Sequence, residues 1–132
     1  MRTWELNTVL NIYALIMNGR KTYDTRVPDP SKPNKRINEA EVGDRVVIVP
    51  VGYDFNPLEL PRLTYSIADI KPFKPEDTWQ STIISMLNSI GLEKVFPSYS
   101  LDEVIEMYEE WSLVERINKY GIVAIGLGKR LA

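Results

Sequence analysis

The chain has 132 residues, and 16 lysines and arginines against 18 aspartates and glutamates leave it a formal charge of −2. That length, with 44% hydrophobic positions, fits residues 1–132 as a single domain with one core and excludes the disordered and fibrous classes. Neither cysteine nor histidine occurs, which excludes disulfides, thiolate metal sites, cysteine nucleophiles and serine–histidine hydrolases, and removes the commonest general base.

Taken in chain order, Leu6, Leu10, Tyr13, Ala14 and Met17 fall at helical spacing, and Asn18-Gly19 stops a helix because both residues tolerate the left-handed conformation. The segment Lys21–Val27 then reads as a strand whose period of two puts Thr22, Asp24 and Arg26 on one face and Thr25 on the other. VPDPSKPNKR, with three prolines and no periodicity, is a surface loop. After the turn Val42-Gly43-Asp44, the β-branched run Arg45–Val51 predicts a buried strand, with a further short strand between Pro50 and Leu60. RLTYSIADI alternates as a strand ending near Ile70, closed by Pro72 and Pro75.

A second helix is capped by Asp77 or Thr78, carries Trp79, Ile83, Met86, Leu87 and Ile90 on its apolar stripe, and ends at Gly91. The capping box Ser100-Leu-Asp-Glu103 opens a third helix carrying Val104, Ile105, Tyr108, Trp111 and Ile117, and Tyr108 and Trp111, like Trp79 on the second helix, read as core. Gly121–Leu127 is a final buried strand. Strands that follow one another without helical crossovers argue for a mixed or antiparallel sheet closing into a small barrel, an α+β fold flanked by about three helices.

The charge is unevenly placed. Residues 1–72 carry 10 bases and 9 acids and residues 73–132 carry 6 and 9, so the halves stand at +1 and −3. Between Met17 and Arg36 six bases (Arg20, Lys21, Arg26, Lys32, Lys35, Arg36) meet two acids, a local excess that a phosphate-bearing ligand would select. Asp24 and Arg26 are close enough to interact, as a surface ion pair or as part of a cleft. The Lys35-Arg36 loop reads either as a solvated connection or as a phosphate-tracking one. The aromatics Tyr53, Phe55, Tyr65 and Tyr99 read either as core or as a base-stacking platform, and Tyr53 and Phe55, in a Gly/Asn/Pro context, are the better candidates for exposure. The acids of the third helix, Asp102 to Glu115, read as a solvated face and not as a metal site, and Gly126-Leu-Gly128 opens no helix, so no dinucleotide site or cofactor is expected.

The run Met17–Arg26 resembles the GxKxxExR signature of ASCH domains, members of the PUA-like barrel superfamily, with Gly19, Lys21, Asp24 and Arg26 at the signature positions. Asp24 stands where that family usually has glutamate. The Val-Gly-Asp44 turn, the strand through Ile67–Ile70, the helical LEKVFPSYSLDEVIEMYEEW and the terminal KYGIVAIGL follow in the family's order, so the resemblance spans residues 6–127. It implies a PUA-like barrel that binds RNA or a nucleotide in a cleft beside the first helix, with Asn18, Arg20, Lys21, Asp24, Arg26, Lys35 and Arg36 as binding residues.

Two other function classes stand beside this one. As an enzyme on RNA or modified nucleosides, the chain would use Lys21 and Asp24 as its catalytic groups, with Asp69, Glu76 and Asp77 as further carboxylates. Small PUA-like amidohydrolases carry a threonine three residues after the lysine, whereas Asp24 occupies that position here. As an interaction protein, the barrel would serve only as a scaffold. No segment approaches the ~18 consecutive apolar residues of a membrane span, and MRTWELNTVLN has no signal-peptide pattern, so a cytoplasmic protein without membrane association is expected.

Overall fold

The computed structural model describes residues 1–132. Its first element differs from the expected helix: β1 (Thr3–Val9) precedes α1 (Leu10–Met17), so Leu6 belongs to a strand. The reason lies in pairing. Trp4, Leu6 and Thr8 alternate buried with exposed Glu5 and Asn7, and the strand runs parallel to β3 (Arg45–Val51) from Thr3↔Arg45 to Val9↔Val51. The buried Asp44 carboxylate fixes this register by accepting from the Arg2 backbone N–H at 2.9 Å, the Trp4 indole at 3.1 Å and the Glu41 N–H at 3.1 Å. The Arg2 bond, reinforced by the Trp4 one, holds the Asp44 carboxyl below its ordinary value.

After α1 come the short edge strand β2 (Tyr23–Arg26) and two single 3₁₀ turns, Pro33–Lys35 and Ile37–Glu39, within the proline-rich loop. β3 is followed by an isolated bridge, Val51↔Pro57, in place of a further strand. β4 (Leu63–Phe73) runs through Pro72 because β3 pairs only with Leu63–Ser66, which leaves a free edge where a missing N–H costs nothing. α2 (Trp79–Ile90) is capped by Thr78, whose side chain accepts from the Ser81 N–H. α3 (Leu92–Val95) is a single turn, and the capping box at Ser100 opens α4 (Leu101–Glu110). The expected third helix is broken: Ser112 takes a left-handed φ of 57°, and α5 (Val114–Tyr120) restarts beyond it. Five helices therefore flank the sheet. Gly121, at φ 76°, turns the chain into β5 (Ile122–Arg130) where a Cβ would lie 2.0 Å from the Phe73 carbonyl oxygen.

The five strands form one sheet in the order β1-β3-β4-β5-β2, antiparallel except for β1 and β3. It curls into a half-open barrel around a core that includes Ile48, Leu63, Ile67 and Ile125 from the sheet and Ile83, Met86, Val104 and Ile117 from the helices. The expected small α+β barrel is the observed architecture, with β1 and β2 as its two edges. No helix is long and apolar enough to cross a membrane.

If Asp44 holds β1 in register, Asp44→Ala leaves buried donors unpaired and lowers unfolding stability in urea at neutral pH by about 2 kcal/mol or more. A carboxyl with a lowered folded-state value contributes stability above its unfolded value and loses it on acidification. The wild-type advantage therefore shrinks as the pH falls below the ordinary 3.8. An unchanged urea midpoint at pH 7 would show that β1 is fixed by other contacts.

A candidate ligand cleft between the sheet edges

The curl of the sheet brings β2 opposite β1 without a backbone ladder between them. One side chain spans the gap: Arg26 donates from Nη1 to the Asn7 carbonyl at 2.7 Å, from Nη2 to Thr8 Oγ1 at 2.9 Å, and from Nε to Asp24 Oδ2 at 2.8 Å. Thr8 can accept because its own hydroxyl proton goes to the Leu6 carbonyl at 2.9 Å. The expected Asp24–Arg26 contact thus exists, and it lies at a cleft, with Asp24 buried and the Arg26 side chain one-quarter exposed.

Lys21 lies deeper. Its side chain is 1% exposed, and its Nζ donates to the Val95 carbonyl, stands 4.0 Å from Asp24 Oδ1 and sits 4.2 Å from the centroid of the Phe96 ring. Burial pushes the ammonium down to about 8; the Asp24 charge opposes this and the Arg26 charge adds to it. Lys21 is therefore a buried counter-charge to Asp24 rather than a surface phosphate contact.

Around this pair opens a cavity of about 470 Å³, within the range of small-molecule sites. Its charged lining consists of Lys21, Arg26, Lys35 and Arg116 against Glu5 and Asp24, four bases and two acids, a net +2 in a chain of −2. One side is aromatic: Phe96, Tyr108 and Trp111 meet edge to face, with centroids 5.9 Å and 5.5 Å apart. Thr25 also lines the cavity and hydrogen-bonds the Tyr108 hydroxyl, because both faces of the edge strand β2 reach it, Arg26 towards β1 and Thr25 towards α4. Burial raises the Tyr108 hydroxyl well above its ordinary value, so it stays protonated.

Of the residues singled out from sequence, Lys21, Asp24, Arg26 and Lys35 share this cavity. Asn18, Arg20 and Arg36 are not among its walls. Asn18 ends α1 and accepts the Arg20 N–H at 3.0 Å, the Arg20 guanidinium bonds Ser98, and Arg36 Nε donates to the Pro30 carbonyl at 3.0 Å. Trp111, expected in the core, is only half-buried and faces the cavity. Arg116 has no precursor in the sequence reading. Its Nη2 donates to the Val27 carbonyl at 3.2 Å and its Nη1 stands 3.9 Å from Asp29, while its buried Nε has no partner. The acids of α4 and α5 form no group placed to hold a metal ion.

No protein-family model matches the chain, and no curated protein matches it. Among solved structures it is similar to the crystal structure of the hypothetical protein PH0355, with 23% identity, a TM-score of 0.71 and coverage of 98% of this chain and 99% of that one. It is also similar to the solution structure of protein PF0455 from Pyrococcus furiosus, with 25% identity, a TM-score of 0.61 and coverage of 98% and 97%. Both likenesses extend over the whole fold, and neither description states an activity.

The buried Lys21 makes a pH prediction. Its folded-state value lies below the ordinary 10.5, so between about 8 and 10.5 the unfolded chain holds more protons and stability rises with pH. Relative to Lys21→Met, the wild type should gain about 2.5 kcal/mol in urea unfolding between roughly pH 7 and 10, at 1.36 kcal/mol per unit. Parallel pH profiles for the two proteins would contradict the burial of the charge.

Proposed function

We infer that the chain is an ASCH-like, PUA-like barrel that binds a nucleotide, free or as a unit of single-stranded RNA, in the cleft between β1 and β2. The observation that carries this reading is the composition of the cavity. It joins a net +2 lining, with Lys35 and Arg116 as the cations not engaged by Asp24, to an aromatic side built from Phe96, Tyr108 and Trp111. A phosphate is met by the guanidinium and ammonium groups, which bind it with charge-assisted hydrogen bonds. The base is met by the half-buried Trp111 ring, backed by the buried Phe96 and Tyr108, and an aromatic face accepts any base. Arg26 and Asp24 support the site: the guanidinium donors are taken up by Asp24, Asn7 and Thr8 and the carboxylate by its cations, so the pair holds the cleft open rather than binding the ligand.

A second reading, an enzyme on RNA or modified nucleosides, is favoured by one observation, the lowering of Lys21 towards neutrality. Against it, the Lys21 Nζ is occupied by the Val95 carbonyl and faces the Phe96 ring. Lys21→Met separates the two: an enzyme loses turnover of the nucleic acid almost completely, whereas a binder loses affinity by a modest factor.

Titration with adenosine 5′-monophosphate and with short single-stranded RNA tests the binding reading. Both should bind and weaken as salt rises, the RNA with log K falling against log salt at a slope of about −0.7 per phosphate engaged, and Arg116→Gln should weaken both about tenfold or more. A salt-independent signal, or unaltered affinity in Arg116→Gln, would sink the reading.

A further inference from the structure

One aromatic of the cavity stands apart from the others. Phe55 lines the cleft from the β3–β4 connection, yet 61% of it is exposed, and its neighbour Tyr53 is 71% exposed. A large apolar ring in water without a partner forgoes the burial that drives most of its kind inside. Its backbone is unusual as well: φ is 63°, a left-handed conformation that is a genuine outlier for a bulky residue.

The turn that imposes this conformation is tied at several points. The Phe55 N–H donates to the Gly52 carbonyl at 2.9 Å, and the Gly52 N–H donates to the Asn56 carbonyl at 2.9 Å. The Asp54 carboxylate accepts both the Asn56 N–H and its side-chain amide at 3.0 Å, and the Leu58 N–H reaches the Pro50 carbonyl at 3.0 Å. The strain at Phe55 is thus held in place by five hydrogen bonds whose combined effect is to keep an apolar ring at the mouth of a cationic cavity. Strain of this kind persists only where surrounding structure over-determines it, and it concentrates at ligand clamps.

We propose that Phe55 is a preformed stacking jaw for the base of the nucleotide that occupies this cleft. The occupant is set by the charge of the lining: a ligand drawn to Lys35 and Arg116 through a phosphate brings its base to the apolar mouth, where the Phe55 ring covers it. Because the turn is already ordered, the ring is presented without the entropy cost of immobilising a loop, and stacking on it contributes to affinity directly. Phe55 is a positioning and affinity residue for the base, and it makes no contact with the phosphate. This inference rests on the nucleotide reading of the cleft.

The test compares two probes that differ by the base alone, adenosine 5′-monophosphate and ribose 5-phosphate, measured by calorimetry and by competition on the wild type, Phe55→Ala and Phe55→Trp. The wild type should bind the nucleotide more tightly than the sugar phosphate. Phe55→Ala should lose about 5- to 150-fold in affinity for the nucleotide, the range of a single base–aromatic stack, and keep the wild-type affinity for ribose 5-phosphate. Phe55→Trp should bind the nucleotide at least as tightly as the wild type. Since the ring is exposed, all three proteins should unfold at the same urea concentration. Equal losses for both probes in Phe55→Ala, or no loss for either, overturns the stacking jaw and leaves nucleotide binding standing. A wild type that binds neither probe overturns the nucleotide reading and the jaw with it.

Discussion

Elsewhere in the barrel, strands are joined by backbone ladders; between β1 and β2 they are joined by the Arg26 guanidinium. Its three nitrogens reach Asp24 on its own strand and Asn7 and Thr8 on the other. A guanidinium suits this task because its donors lie in one plane in a fixed fork, so a single side chain can satisfy a carboxylate on one side and a strand edge on the other. A ladder would have brought the strands within about 4.8 Å and left no room between them. The cleft exists because the seam is spanned by a side chain.

That arrangement requires a buried anion, and a buried anion requires compensation. Asp24 is 3% exposed and meets Arg26 at 2.8 Å and Lys21 at 4.0 Å, two cations for one carboxylate. Removing either partner would leave a charge stranded away from water, which is more costly than never having buried the pair. The second cation carries the price of its position: Lys21 is more easily deprotonated than an exposed lysine because burial disfavours its charge. The surplus positive charge faces a cavity whose remaining charged groups, Lys35 and Arg116 against Glu5, add to it.

The parts of the site that were legible in the sequence are those whose spacing is local. Asp24 and Arg26 share a strand face two residues apart, and the Asn18-Gly19 stop fixes where Lys21 leaves the helix, so this trio could be placed from sequence. The turn-forming neighbours of Phe55 mark it and Tyr53 as the better candidates for exposure among the aromatics, without deciding it against the core. β1 was not, because Leu6, Leu10, Tyr13 and Met17 satisfy a helical period as well as Trp4, Leu6 and Thr8 satisfy a strand period; the parallel pairing with β3, some forty residues away, decides between them. Arg116 was illegible for a related reason. On α5 it looks like any charged residue of a solvated helix, and only the break at Ser112 and the tether to the Val27 carbonyl, 89 residues distant in sequence, bring it to the cleft. Trp111 reads as core from sequence because its stripe position on α4 is apolar; the helix ends there, which leaves the ring half-buried at the cavity.

The central claim, that the gap between β1 and β2 is the ligand site, is tested most directly by nuclear magnetic resonance on the ¹⁵N-labelled protein titrated with adenosine 5′-monophosphate, following the arginine Nε–H and tryptophan indole signals. The account predicts that Arg116 Nε–H and the Trp111 indole shift saturably with one common dissociation constant, while the Trp4 indole, bonded to Asp44, and Arg36, bonded to Pro30, stay in place. Signals that shift at Arg20 or Arg36 while Arg116 and Trp111 remain still would place the ligand elsewhere on the surface and contradict it.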